Sequence, residues 1–107
     1  MNEYQTKYLN TVKTLALKHI PNDEYAVFLF GSWARNKQSG GSDLDIGVLG
    51  NKPLPARIKF ELELELEESI VPYNVDIVDF SQVDETFRRV ALKDIIVWNR
   101  PKSIAIN

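Results

Sequence analysis

Apolar residues recur along residues 3–20 at helical spacing. Tyr4, Tyr8, Val12, Leu15, Ala16 and His19 fall on one stripe, which predicts an amphipathic helix. Pro21-Asn22 stops it. His19 closes the stripe and reads as a packed or capping histidine. Tyr25-Ala26-Val27-Phe28-Leu29-Phe30 is a continuous apolar run. It is too short for a helix standing alone and predicts a buried central strand. A short polar stretch follows, and then Leu44, Ile46 and Val48 alternate with Asp43, Asp45 and Gly47. Period two predicts a second strand, residues 43–49, with one apolar face.

Residues 60–66, FELELEL, alternate as strictly as a strand. Residues 54–70 nevertheless predict a helix. Leu, Glu, Ala, Lys and Arg favour helix, and β-branched residues are nearly absent before Ile70. Ile58, Leu62 and Leu66 repeat every four residues, and Phe60 and Leu64 widen that stripe. Five glutamates between 61 and 68 cover the outer face and leave Leu64 partly exposed, as part of a partner surface. Residues 74–80, NVDIVDF, predict a third strand. Ser81-Gln82-Val83-Asp84 reads as a helix-start cap, with Val83, Phe87, Val90 and Ala91 following at helical spacing. Ile95-Ile96-Val97-Trp98 predicts a last strand. The order α-β-α-β-α-β-α-β, with only a turn or short helix second, implies an α/β or α+β domain with a small mixed sheet.

Composition narrows the chemistry. At 107 residues there is room for one domain, spanning 1–107, with one core. There is no cysteine, which excludes thiolate metal sites, and His19 is the single histidine. No apolar run approaches the ~20 residues of a membrane span, and the first ten residues show no secretion signal. A soluble, cytoplasmic protein is the expectation. The net charge of -2 is unevenly spread. Residues 1–85 carry 8 basic and 14 acidic side chains. Residues 86–107 carry Arg88, Arg89, Lys93, Arg100 and Lys102 against Asp94 alone. This basic segment is either a solvated face or a contact surface for a nucleotide or an acidic partner.

Asp43 and Asp45 stand at i and i+2 of a strand, so both point to one face, about 6.5–7 Å apart at Cα. Two carboxylates so placed can converge on a hard divalent cation such as Mg²⁺. Gly47, next on that face, is expected to leave room beside them. A third carboxylate must come from another strand. Asp76 and Asp79 differ by three positions, so only one can join the pair. Asp76, flanked by Val75 and Ile77, would be costly in mid-strand unless paired or bound to a cation. Asp79, at the strand end, suits capping or turn formation. Gly31-Ser32 directly follows the buried strand. A helical turn starting there would present backbone N–H groups and a hydroxyl to a phosphate, with Arg35 one turn on able to add charge-assisted hydrogen bonds.

A strand, Gly-Ser, ten residues, D-x-D on the next strand and an apolar-flanked Asp on a third form one constellation. In GSWARNKQSGGSDLDIGV and VDIVDF the chain resembles the minimal nucleotidyltransferases of the DNA polymerase beta superfamily. One departure is Asn36, where the family often has glycine after the Ala-Arg pair. Asparagine tolerates a left-handed backbone better than most residues. The resemblance implies the nucleotidyltransferase fold, a mixed sheet with helices packed on one side and the carboxylates facing the other.

It also implies a mechanism. Asp43 and Asp45 would bind Mg²⁺, two ions in all, shared with a nucleoside triphosphate, with ATP the family-based choice. Asp76 would complete the site as ligand, general base or both, and Gly31, Ser32, Arg35 and Ser42 would hold phosphates. A hydroxyl would then attack the α-phosphorus and release pyrophosphate. The domain has little surface to spare for gripping an acceptor. The resemblance suggests that a small helical partner of the HEPN type supplies it, in a toxin–antitoxin-like pair whose antitoxin member transfers AMP to a partner tyrosine. RNA ends and small molecules are the other acceptor classes. An antitoxin that acts by complex formation alone is the competing reading, and a scaffold domain with solubilising aspartates a third. Trp33 and Tyr73 are the aromatic residues that either meet a nucleobase or pack.

Overall fold

The computed structural model describes residues 1–106. The element order is α1 (Glu3–His19), β1 (Tyr25–Phe30), α2 (Gly31–Ala34), β2 (Leu44–Gly50), α3 (Ala56–Glu67), β3 (Val75–Asp79), α4 (Glu85–Ala91) and β4 (Ile96–Asn99). The four strands form one sheet in the order β3-β2-β1-β4. β1 runs antiparallel to both β2 and β4, whereas β2 and β3 are parallel. A parallel neighbour requires a crossover, and α3 provides it. β1 is central and every one of its six residues is buried, as an uninterrupted apolar run implies.

The sheet buries two different faces. On one, Tyr25, Val27 and Leu29 of β1, Leu44, Ile46 and Val48 of β2 and Ile77 of β3 pack against Val12 and Ala16 of α1 and Leu62 and Leu66 of α3. On the other, Ala26, Phe28, Phe30 and Leu49 meet Phe80, Ile104 and the apolar side of the α4 region, through Val83, Ala91 and Leu92. The two long helices therefore lie on one side as expected. The short α4 and the chain end cover part of the other.

α1 begins with a reciprocal cap, in which Asn2 Oδ1 accepts from Gln5 N–H at 2.8 Å and Gln5 Oε1 accepts from Asn2 N–H at 3.1 Å. His19 at its end packs against α3, with Nε2 2.7 Å from Glu65 Oε1. The FELELEL segment is helical, so helix propensity outweighs its alternation. Only part of each helical stripe is buried, because a helix against a sheet hides a narrow arc. Tyr4 on α1 and Phe60 on α3 stay 69% and 63% exposed, in contrast to their expected inward positions, and Leu64 is exposed as anticipated.

The last helix starts later than the Ser81 cap predicts. Asp79 Oδ1 accepts from the N–H and the hydroxyl of Ser81, at 2.9 and 2.7 Å, which holds Ser81 in a turn. Asp84 takes the capping role and accepts from Phe87 N–H at 2.8 Å.

Candidate active site

β2 separates its side chains as its alternation demands. Leu44, Ile46 and Val48 are wholly buried under the helices. Asp45 projects from the opposite face, and Asp43 stands exposed just before the strand begins. The register fixes what surrounds Asp45. It lies opposite Phe30 of β1 on one side and opposite Asp76 of β3 on the other. Asp43, Asp45 and Asp76 are therefore brought to one corner of the sheet. Asp79 is sent to the other face, where its Oδ2 accepts from Leu54 N–H at 2.8 Å, in keeping with the structural role expected of it.

Because β1 ends opposite Asp45, the residue that follows, Gly31, is delivered against the same carboxylate. A Cβ on Gly31 would stand 2.2 Å from Asp45 Oδ2, and Gly31 has φ 75°. Only glycine satisfies both conditions without displacement or strain. Gly31 opens α2, whose end is closed by a left-handed turn. Asn36 has φ 56°, Lys37 N–H donates to Ser32 C=O at 2.8 Å and Asn36 N–H donates to Trp33 C=O at 3.3 Å. These two bonds form a Schellman motif, with asparagine in the position that glycine usually takes. Trp33 anchors the turn. It is buried, with its ring edge-on to Tyr73 at 4.9 Å, and Tyr73 in turn meets Tyr8 at 5.7 Å. Both aromatic residues pack within the fold.

The electrostatics follow from this crowding. Burial, then the charges of Asp76 and Asp43, push the Asp45 carboxyl up from 3.8 to about 6. Among the described residues, no salt bridge engages Asp43, Asp45 or Asp76. No three His, Cys, Asp or Glu side chains among them already close on one point as a metal cage. Clustered carboxylates with no counter-charge form a donor set suited to a hard divalent cation that also keeps water or phosphate oxygens as ligands.

Two details differ from the sequence reading. Gly47 leaves no room beside the aspartates. It lies opposite Phe28, and an added Cβ would stand 2.2 Å from that ring, so the glycine makes space for Phe28 and not for a ligand. Asp76 is not an enclosed mid-sheet carboxylate. β3 is an edge strand and Asp76 is exposed, so its claim to the site rests on its register with Asp45. Ser42 Oγ accepts from Ser39 N–H at 2.8 Å, which closes the loop before Asp43. Ser32 is half-buried at the turn and Arg35 is exposed at its end.

An aromatic floor went unnoticed in the sequence. Phe28 and Phe30 meet Phe80 edge-on at 4.9 and 5.1 Å, on the same face of the sheet as Asp45. The signal was present, since Phe28 and Phe30 share the strand face that ends against Asp45.

The family described as "Polymerase beta, Nucleotidyltransferase" matches residues 11–103. The Haemophilus influenzae protein called "Probable protein adenylyltransferase MntA" is 30% identical over 95 residues, covering 89% of this chain and 82% of its own. Among solved structures, a toxin–antitoxin complex crystallised with AMP-PNP superposes with a TM-score of 0.69 at 24% identity, over 88% of this chain and 74% of that one. A tri-AMPylated Shewanella oneidensis HEPN toxin in complex with its MNT antitoxin gives a TM-score of 0.64 at 22% identity, over 92% and 74%. These two likenesses concern the fold.

Proposed function

The chain belongs to the polymerase beta nucleotidyltransferase family, and on that premise we propose that it transfers AMP from ATP to a tyrosine hydroxyl of a small HEPN-type partner, as the antitoxin of a pair. The observation that carries this reading is the register of Asp45 with Asp76, together with the glycine pressed against Asp45 at the start of α2. The adenylyltransferase name of the Haemophilus relative and the toxin–antitoxin complexes among the structural neighbours support the choice of nucleotide, acceptor and partner. No helix among the described residues is long and apolar enough to cross a membrane.

Asp43, Asp45 and Asp76 would hold Mg²⁺, two ions in this reading, which when bound offset phosphate charge and acidify the attacking hydroxyl. Backbone N–H groups at Gly31 and Ser32, the Ser32 and Ser42 hydroxyls and the Arg35 guanidinium hold the β- and γ-phosphates. Asp76, exposed at the sheet edge, accepts the proton of the acceptor hydroxyl. The acceptor oxygen forms a bond to the α-phosphorus. The bond from that phosphorus to the α–β bridging oxygen breaks, and its electron pair leaves with pyrophosphate. Catalysis of this kind is mostly positioning and charge stabilisation.

The test is co-expression with the product of the neighbouring gene, followed by intact-mass analysis of that product. One or more adenylate additions, lost in Asp45→Asn, are expected, with a fall in transfer of about 10²- to 10³-fold. A stable complex with no added mass, in the presence of Mg²⁺ and ATP, would overturn the transferase reading.

A further inference from the structure

The basic segment of residues 86–107 is not used by the mechanism above, and part of it faces the nucleotide turn. Lys93 lies just beyond the end of α4, where its N–H donates to Val90 C=O at 3.3 Å. With Asp94 and Ile95 it lines a hollow of about 430 Å³, whose opposite wall is Ala34, Arg35 and Lys37. Arg35 also lines a second hollow of about 200 Å³, together with Gly31 and Phe87. Arg35 is therefore a wall of both hollows, and the smaller one is also lined by the glycine that abuts Asp45.

Three cations from two separate segments thus converge on one concavity. Arg35, Lys37 and Lys93 are all exposed, and none joins a salt bridge among the described residues. Asp94 is the one carboxylate on the wall. Lys37 is not placed there at random. The left-handed turn at Asn36 and the bond from Lys37 N–H to Ser32 C=O fold it back over α2. Like charges gathered in a concave surface favour an anion of high charge, and a compact multivalent one gains most. A triphosphate held at Gly31 and Ser32, with Arg35 on its terminal phosphate, brings that phosphate to the edge of this hollow.

We propose that Lys37 and Lys93 are positioning residues for the terminal phosphates of the nucleotide, and so for the departing pyrophosphate. This rests on the nucleotidyl-transfer reading and adds a second, distal anchor to it. Such an anchor distinguishes a triphosphate from a monophosphate, because AMP is too short to reach it. It favours binding of the substrate over retention of its adenylate part, and it weakens as salt rises.

The test compares ATP and AMP binding by calorimetry, with Mg²⁺ present, for the full chain and for Lys37→Gln, Lys93→Gln and Lys59→Gln, the last on the remote face of α3. The expected result is that each of the first two weakens ATP binding roughly fivefold and leaves AMP binding unchanged. Lys93→Arg restores ATP binding, and Lys59→Gln changes neither ligand. Parent-like ATP binding in Lys37→Gln and Lys93→Gln would overturn the inference while leaving the transferase reading intact. So would an equal loss for ATP and AMP. A parent chain that binds neither nucleotide would overturn both.

Discussion

The two faces of β2 belong to one strand and do opposite work. Leu44, Ile46 and Val48 are sealed among aliphatic side chains of α1 and α3, where every contact favours the folded state. One residue away along the same backbone, Asp45 is half-buried beside two other carboxylates, and its charge opposes folding. The helix face supplies the rigidity that keeps the aspartates together against their repulsion. Stability and chemistry are divided by the pleat, not by distance, and three substitutions probe that division.

The largest effect is expected from the sealed face. Ile46→Ala would leave a cavity among side chains that have no route to relax, at a cost of about 2–5 kcal/mol in chemical denaturation. Transfer per folded molecule should hardly change. A selective loss of catalysis without loss of stability would show that the helix face is not the passive support described here.

At the junction of the two faces, Gly31→Ala is expected to cost about 1–2 kcal/mol, because a side chain is strained at φ 75°. Its new methyl would also push Asp45 aside, so the thermal stabilisation that the proposed function expects from Mg²⁺ and ATP should vanish even in molecules that remain folded. Retained stabilisation would mean that Asp45 can shift without harm to the site.

The smallest effect has the opposite sign. Asp45 carries a raised pKa in the folded chain, so its penalty is absent below about pH 4, grows as the pH rises towards 6 and is complete above that. A rise from 3.8 to about 6 corresponds to at most ~3 kcal/mol, and contact with water reduces it. Asp45→Asn in EDTA should therefore be about 1 kcal/mol more stable than the parent at pH 7. The gap should close as the pH falls to 4. A gap that is the same at both pH values would remove ionisation of Asp45 as its source.

Much of this division could be read before any coordinates. Alternation alone placed Asp43 and Asp45 opposite Leu44, Ile46 and Val48, and helix propensity identified FELELEL. Asparagine's tolerance of a left-handed backbone makes Asn36 an acceptable replacement for glycine, and its φ of 56° agrees. What could not be read depends on which strand lies beside which. The position of Phe28 opposite Gly47 decides who fills the space over that glycine, and no local pattern encodes a cross-strand register. Strand order likewise makes β3 an edge and so exposes Asp76. Ser81 resembled a cap because the competing acceptor, Asp79, binds it through a turn and leaves no periodic trace. The approach of Lys93 to Arg35 joins segments far apart in the chain and is equally silent in the sequence.

In the transfer proposed above, the edge position of Asp76 governs how the acceptor arrives. A residue on an outermost strand is approached sideways, across open solvent, and an incoming side chain need not thread a channel. A substrate as large as a folded protein can rest its own surface against the rim and offer one hydroxyl. Discrimination between acceptors then belongs to the visitor's shape, and a bare shelf of this kind has little means of its own to turn water away.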